Sequence, residues 1–271
     1  MNDYHGLLRQ NLAGRPIGHK IYFYEQTGST NDDAFELGTA GEPHGTVILA
    51  ERQVTGKGRM NRSWHSPPGA NIYTSILLRP EFEPARAPQI SIAAGIAVAE
   101  TLHKHCPDTV QLKWPNDVLI AGRKICGILS QMKLCADAID FVVVGIGINV
   151  NISRAELPEE LRETATSLLI ETGRELSRVD LIICLFENMA KWYRKLTEDG
   201  FDTIREKWLS LSPMIGGPVA VRFHDETILG RAYGLGDDGS LAVVTDADET
   251  VYVAAGDATI LKKAKDYAAG H

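Results

Sequence analysis

The sequence predicts an α+β protein in which helices flank a mixed central β-sheet and a small all-β domain follows. Short apolar or alternating runs bounded by turn residues recur between residues 21 and 148 and indicate strands. A long run with apolar residues at helical spacing, Gln89–His105, interrupts them, and helical patterns fill residues 154–212. From Gly216 onward the chain changes to short strands separated by Asp-rich and Gly-rich turns. We therefore expect a catalytic or binding domain over residues 1–212, a β-barrel over 213–262 and a tail over 263–271.

Each element follows from its local pattern and from the turn residues that bound it. Gly14 and Pro16 end a short amphipathic helix over residues 2–13. The strands predicted for the first domain are Ile21–Tyr24, Val47–Ala50, Ile72–Leu78, Val110–Lys113, Asp117–Ile120, Ile125–Met132 and Phe141–Ile148. The further helices are Ala34–Leu37, Gln89–His105, Ser167–Glu171, Val179–Thr197 and Phe201–Leu211. The strands predicted for the second domain are Val219–Phe223, Thr227–Gly234, Leu241–Thr245 and Val251–Ala255, and Lys262–His271 is predicted to fray.

Composition narrows the classes of function. The 271 residues are 44% hydrophobic and carry a formal net charge of −7, which argues against a general nucleic-acid binder with a broad basic surface. The four cysteines form no CxxC pair and no metal-ligand spacing, so we read them as reduced thiols of a cytoplasmic protein. The N-terminus has no basic and apolar signal regions, and the longest apolar run is too short to span a bilayer.

A glycine-rich basic segment, Gln53–Trp64, is the most unusual stretch of the chain. It reads Q-V-T-G-K-G-R-M-N-R-S-W, and two glycines so close together fit neither a helix nor a strand. Backbone N–H groups of such a loop can wrap an anion while its cations supply charge. A solvated basic turn is the simpler alternative. The segment is not a Walker A motif, because a glycine and not Ser or Thr follows Lys57.

Four other short stretches place polar residues or glycines at the start, at the end or within a predicted helix or strand. Ser29-Thr30-Asn31 precedes a helix and would cap it, but also exposes hydroxyls to a ligand. Lys113-Trp-Pro-Asn-Asp117 ends a strand, where an Asx turn is the simple interpretation. Lys124 begins K-I-C-G-I-L after a hairpin turn and could be an edge-strand cation. Phe141–Asn151 contains G-I-G-I-N, which lacks the third glycine and the helix of a dinucleotide fingerprint; we predict that Gly145 and Gly147 form a floor for a flat ring.

Together these stretches resemble the biotin–protein ligase family over roughly residues 20 to 260. The family signature G-R-G-R-x-G-R-x-W is similar to G-K-G-R-M-N-R-S-W, with Lys57 for Arg and Asn61 for Gly as departures. The order of the motifs along the chain is also that of the family: S-T-N precedes this signature, and K-W-P-N-D, K-x-x-G-I-L and G-I-G-I-N come after it. The resemblance implies a class II aminoacyl-tRNA synthetase-like catalytic domain and an SH3-like C-terminal barrel. Because few residues precede Ile21, we expect the monofunctional form without an N-terminal DNA-binding domain and without DNA binding.

The resemblance also assigns roles to individual residues. Lys124 and Arg59 are expected to be catalytic, and Asp117 is expected to lie on the magnesium–phosphate side. The biotin site is expected to contain Ser29, Thr30, Asn31, Gln53, Gly56, Lys57, Gly58, Arg59, Lys124 and Gly127. The ATP site is expected to contain Arg59, Arg62, Trp64, Asn116, Lys124 and Asn149.

The activity implied is ATP-dependent activation of biotin as biotinyl-5'-AMP and transfer to a lysine of a biotin carboxyl carrier protein. Biotin and ATP would be the substrates and Mg²⁺ the metal, with no membrane partner and a homodimer as the assembly suggested by the family. Two other interpretations are a lipoate ligase, whose glycine-rich signature is absent, and a nucleotide-binding module without catalysis. Biotin-dependent exchange of pyrophosphate into ATP separates them.

Overall fold

A computed structural model of the chain describes residues 4–223 and 226–261. The tail predicted at 263–271 lies outside the described residues. Within them, the large sheet contains β1 (Lys20–Tyr24), β2 (Thr46–Ala50), β3 (Ile72–Leu78), β4 (Val110–Lys113), β5 (Asp117–Ile120), β6 (Arg123–Cys135) and β7 (Ala138–Ile148). The second sheet contains β8 (Pro218–Phe223), β9 (Glu226–Leu235), β10 (Leu241–Val244), β11 (Thr250–Val253) and β12 (Asp257–Ile260). The helices are α1 (Tyr4–Leu12), α2 (Thr30–Thr39), α3 (Pro88–His103), α4 (Leu168–Thr172), α5 (Arg178–Glu198) and α6 (Asp202–Leu211).

The large sheet is mixed, as predicted. Its strands lie in the order β1-β2-β3-β7-β6-β5-β4, with β1 and β2 parallel and the other neighbours antiparallel. The smaller sheet is antiparallel, in the order β11-β10-β9-β8-β12. None of the described helices combines the length and the apolar character needed to cross a bilayer.

Several elements differ from the sequence prediction, most clearly β6, β7, α2 and β12. The hairpin of β6 and β7 extends beyond Met132 because backbone pairing continues to Cys135 and Ala138. α2 continues to Thr39, two residues beyond the predicted Leu37. Strand β12 was not predicted; it forms because Asp257–Ile260 pairs with β8, a contact between segments far apart in sequence.

The two faces of the large sheet have different neighbours. On β7, the apolar side chains Val142, Val144, Ile146 and Ile148 point into the main core, which also includes residues of α3 and α5. The opposite face carries Val143, which packs with Ala34 of α2 and with other residues in a smaller cluster. Because β7 continues on this second face with Gly145 and Gly147, α2 and the basic segment can lie close to the sheet.

The second sheet is joined to the first domain beside the K-W-P-N-D stretch. Trp114 is 2% exposed, and its indole Nε1 donates to the carbonyl of Gly239 at 3.1 Å. Gln89, at the start of α3, donates to the carbonyl of Asp237 at 2.6 Å. These contacts hold the turn between β9 and β10 against the first domain.

Replacing Trp114 with Phe should lower the free energy of unfolding. The decrease should exceed that expected from the smaller ring by about 1–3 kcal/mol, because a buried carbonyl loses its hydrogen-bond donor. Trp208→Phe is the matched control, because Trp208 is equally buried and no hydrogen bond of its indole is described. Urea unfolding of both variants measures the difference in free energy of unfolding. Equal losses in the two variants would show that the bond between Trp114 and Gly239 contributes nothing.

Candidate functional site

The predicted site residues meet on the face of the sheet that α2 covers in part. Gly127 of β6 and Gly147 of β7 are directly paired there, and Gly145 lies two residues before Gly147 on the same face. A Cβ at Gly147 would lie 2.6 Å from Nε1 of Trp64, and one at Gly127 would lie 3.1 Å from Cζ3 of the same ring. The indole of Trp64 therefore lies directly against bare backbone.

The prediction that Gly145 and Gly147 form a floor for a ligand ring needs correction. A Cβ at Gly145 would overlap Oδ1 of Asn31, and Gly147 is covered by Trp64. The space that the missing side chains leave is filled by the protein itself. Gly145 accommodates a polar side chain of α2, and Gly147 accommodates the tryptophan that ends the basic segment.

The Ser-Thr-Asn triplet forms the start of α2. Ser29 is the N-cap residue with extended backbone, but its hydroxyl does not cap the helix. Thr30 donates from its backbone N–H and from its hydroxyl to Oε1 of Gln53, at 2.9 and 3.1 Å. Gln53 in turn donates from Nε2 to the hydroxyl of Ser66 at 3.1 Å. The triplet and the beginning of the basic segment therefore form one hydrogen-bonded wall.

The basic segment is a loop, as predicted, with a tight turn at Arg59–Asn61 in which Met60 and Asn61 are left-handed. Its two arms pair through backbone bonds from Gly58 N–H to the carbonyl of Arg62 (2.7 Å) and from Trp64 N–H to the carbonyl of Gly56 (2.8 Å). A Cβ at Gly56 would approach the carbonyl oxygen of Trp64 to 2.6 Å, so the pairing requires glycine there. Asn61 has φ 58°, a left-handed conformation that Asn adopts more readily than most residues, which accounts for Asn where the family signature has Gly.

The three cations of the loop have different surroundings. Lys57 Nζ lies 2.6 Å from Oδ1 of Asp32 on α2, and Arg62 forms an ion pair with Asp257 of β12. Among the described residues, no carboxylate lies within ion-pair distance of Arg59. Burial lowers the pKa of Arg59, and the charges of Asp257 and Asp117 oppose that shift. A desolvated guanidinium without a carboxylate is suited to bind an anionic ligand.

Lys124 lies at the centre of the site. Its Nζ is 2.6 Å from Oδ1 of Asp117 and 5.6 Å from the ring centroid of Trp64, over the indole. The contact with Asp117 is a close ion pair and not a well-aligned hydrogen bond. Lys113 adds a second, longer contact to the same carboxylate at 3.9 Å. Two cations thus hold Asp117, and Lys124 is positioned beside the aromatic ring.

Asn116 and Asn149 use their amide nitrogens to tie the site together. Asn116 Nδ2 donates to the carbonyl of Ile128 at 2.7 Å, and Asn149 Nδ2 donates to the carbonyl of Thr166 at 3.0 Å. Asn149 is almost entirely buried, and its backbone N–H donates to Ile125, the residue after Lys124. The donors of both amides therefore hold main-chain segments around Lys124.

The sequence analysis missed one segment of the site. Residues 154–212 showed no motif, but the carbonyl of Thr164 accepts from Lys124 N–H at 2.8 Å and the N–H of Thr166 donates to the carbonyl of Lys124 at 2.9 Å. This bridge fixes the backbone of Lys124 from the side opposite β5. The small polar run T-A-T-S just before the predicted helix Ser167–Glu171 was the available signal.

The residues present provide limited metal-binding capacity. No cluster of three or more His, Cys, Asp or Glu able to hold a metal occurs in residues 4–223 and 226–261. Asp117 offers one carboxylate, and its buried Oδ1 has no aligned hydrogen bond. Mg²⁺ is often held by one or two carboxylates together with water and substrate phosphates. The site therefore fits a magnesium ion that arrives with a nucleotide, and does not fit a resident ion held by protein alone.

Comparison with known proteins agrees with this geometry. Residues 23–149 match the biotin/lipoate A/B protein ligase family, and residues 214–260 match the biotin protein ligase C-terminal domain. The chain is 34% identical over 239 residues to the bifunctional ligase/repressor BirA of Bacillus subtilis, covering 88% of this chain and 74% of that protein. It is 33% identical over 268 residues to the biotin–[acetyl-CoA-carboxylase] ligase of Mycobacterium tuberculosis, covering 94% of each.

A solved structure shows the same fold. The biotin protein ligase of Aquifex aeolicus in complex with biotin and ATP superimposes with a TM-score of 0.77 at 29% identity, covering 90% of this chain and 99% of that one. Both domain matches, the extent of the sequence similarity and this superposition lead to one assignment. The chain belongs to the biotin protein ligase family.

Proposed function

We propose that this protein activates biotin with ATP to form biotinyl-5'-AMP and then transfers the biotinyl group to a lysine of a carrier protein. The observation that carries the proposal is the partly buried Arg59, which has no carboxylate partner among the described residues and lies near Lys124 and Asp117. Such a site favours a ligand that brings several negative charges into a desolvated cleft. Biotin-dependent exchange of labelled pyrophosphate into ATP tests the activity directly.

The biotin end of the site is assigned to the wall formed by α2 and the start of the basic loop. A ureido ring offers two N–H donors and one carbonyl acceptor. The hydroxyls of Ser29 and Thr30 and the amide of Gln53 can complement both kinds of group. Gly56, Lys57 and Gly58 lead from this wall towards Arg59, and the bare backbone of Gly127 lets Trp64 and Lys124 lie close to the sheet at the end of this path.

Adenylation requires positive charge more than a base. The biotin carboxylate, ionised at neutral pH, attacks the α-phosphorus of ATP; a C–O–P bond forms and the bond to pyrophosphate breaks. Both reactants are anions, so the barrier depends on compensation of charge in the transition state. Lys124 can bridge the carboxylate and the α-phosphate, while Arg59 stabilises the charge that develops on the phosphoryl oxygens.

The nucleotide end is assigned to the residues beyond Lys124. Asn116 and Asn149 keep free amide oxygens, since their described hydrogen bonds use the nitrogens. An amide oxygen can accept from the exocyclic amine of adenine. Trp64 offers an aromatic surface and Arg62 a cation near the phosphates. Asp117 would hold a magnesium ion, which would neutralise part of the phosphate charge when bound.

In the second step the amine of the acceptor lysine attacks the carbonyl carbon of the mixed anhydride, and AMP leaves. The relative in Mycobacterium tuberculosis is a biotin–[acetyl-CoA-carboxylase] ligase, so we propose the biotin-carrying domain of that carboxylase as the acceptor. The anhydride is prone to hydrolysis. Closure of the basic loop over it would exclude water and prevent escape.

We also propose the domain boundaries and the finer fold relationships. Residues 1–212 would form the catalytic domain, related to the class II aminoacyl-tRNA synthetases, and residues 213–262 an SH3-like barrel. The mixed sheet with helices on its main core face and the separate five-stranded antiparallel sheet support this division. A homodimer that uses an edge of the large sheet stays a prediction.

Lys124→Ala should lower the rate of biotin-dependent pyrophosphate exchange by about 10²–10³, because one preorganised charge contact in the transition state is lost. Lys133→Ala is the matched control, since Lys133 lies on the same strand but pairs with Asp140, away from Trp64. A near-normal exchange rate in the Lys124 variant would show that Lys124 is only an edge-strand cation without a catalytic role.

Arg59→Gly should separate formation of the intermediate from its retention. A charge-assisted hydrogen bond is worth about 1.5–3 kcal/mol, or roughly one to two decades in dissociation rate. The variant, incubated with biotin, ATP and serum albumin, should label more albumin per pyrophosphate released than the wild type. Arg52→Gly, at an exposed position just before the loop, is the control. Unchanged albumin labelling with intact adenylation would exclude Arg59 from retention.

Asp257→Asn should make the loop more sensitive to trypsin at Arg62 in the free protein, because Arg62 loses its partner on β12. Biotin plus ATP should protect the loop in both the wild type and the variant. Asp237→Asn, which removes an acid that pairs with Arg205, is the control. Equal cleavage with and without ligands would contradict ordering of the loop by its substrates.

A further inference from the structure

The side chain of Asn31 is fully engaged by the protein. Its Nδ2 donates to the carbonyl of Leu129 and to Oε1 of Gln131, each at 3.0 Å, and its Oδ1 accepts from the hydroxyl of Ser75 at 2.7 Å. Both amide hydrogens and the amide oxygen therefore have partners. Asn31 is also buried, whereas Gln53, at the other end of the hydrogen-bonded wall, is partly exposed.

The contacts of Asn31 reach three strands of the sheet. Leu129 and Gln131 belong to β6, Ser75 belongs to β3, and the absence of a side chain at Gly145 of β7 lets the amide approach the backbone. One side chain in the first turn of α2 thus fixes the start of the helix on the centre of the sheet. Ser29 does not cap the helix with its hydroxyl, and the N–H of Thr30 donates instead to Oε1 of Gln53.

Ser75 links this arrangement to the proposed biotin wall. Its hydroxyl lies 2.8 Å from the hydroxyl of Thr30 and is completely buried, so it cannot contact a ligand itself. Thr30 in turn meets Gln53 through two hydrogen bonds. A displacement of Asn31 or loss of Ser75 would therefore shift Thr30 and, through it, the partly exposed amide of Gln53. The nucleotide end, built around Asn149, would keep its contacts.

We propose that Asn31 and Ser75 are positioning residues for biotin, and that Asn31 acts through Thr30 and Gln53 and not by direct contact with the ligand. Gly145 belongs to the same unit, because only a residue without a side chain leaves space for the Asn31 amide. The inference rests on the proposed function, in that the ligand positioned is biotin. It reassigns Asn31, which the resemblance placed among the biotin contacts.

The test compares three variants that disturb the unit in different ways. Asn31→Ala removes the amide, Ser75→Ala removes its buried partner, and Gly145→Ala displaces the amide without removing it. Each should weaken biotin binding by about 10-fold, the loss expected when one hydrogen bond to the ligand is misaligned. Calorimetric titration with biotin and, separately, with ATP should show the loss for biotin and unchanged affinity for ATP.

Two additional variants separate positioning from general destabilisation. Thr74→Val removes a buried hydroxyl from the same strand, one that donates to the carbonyl of Ile48, and should lower the melting temperature while leaving biotin affinity unchanged. In the Asn31→Ala background, Gly145→Ala should cause no further loss of affinity, because the side chain it would displace is absent.

Each outcome decides the proposal. Similar losses of biotin affinity in Ser75→Ala and Gly145→Ala, neither of which removes a group able to touch biotin, support positioning. A loss confined to Asn31→Ala would show direct contact and overturn it, and so would additive losses in the double variant or an equal loss in Thr74→Val. If the wild type itself binds no biotin, the proposed function fails; if the wild type binds and all variants bind equally, only this inference fails.

Discussion

The close approach of two side chains to bare backbone on β6 and β7 is the constraint on which the site depends. Asn31 lies against Gly145 and Trp64 against Gly147, and these two residues anchor α2 and the basic loop. A methyl group at either glycine would force one of these segments away, and overpacking of this kind typically costs about 1–3 kcal/mol. The positions of the Ser-Thr-Asn triplet and of the loop cations are therefore set by strand residues that contribute no side chain.

The cations of the site differ in whether the protein supplies a carboxylate partner for them. Lys57 and Arg62, on either side of Arg59 in the loop, have carboxylate partners on α2 and β12, whereas Arg59 has none among the described residues. Lys124 has Asp117 as its partner, and in the proposed reaction a ligand carboxylate or phosphate would replace the protein carboxylate. The protein carries a net charge of −7, so this local concentration of cations is needed to attract two anionic substrates to one place.

Much of the site could be predicted from sequence because its chemistry limits the residue types. The basic loop, Lys124 and Asp117 were predicted as site residues from motifs, and the structure brings them together around Trp64. The roles of Gly145 and of Thr164–Thr166 could not be predicted, since they depend on contacts with Asn31 and Lys124 that only the folded chain creates. Strand β12 was missed for the same reason: its pairing with β8 is a tertiary contact.

The substitution of Lys57 for the arginine of the family signature changes how the loop is held. Lysine is a point charge, and here it meets one oxygen of Asp32, whereas a guanidinium could hold two acceptors. Asp32 lies in the first turn of α2, where a carboxylate also interacts favourably with the helix dipole. Both ion pairs that hold the loop are substantially exposed on at least one side, and such pairs contribute about 0–1 kcal/mol each. A charge-assisted bond from Arg59 to a bound anion would be worth about 1.5–3 kcal/mol, so the proposed closure of the loop would depend more on the ligand than on the protein's own ion pairs.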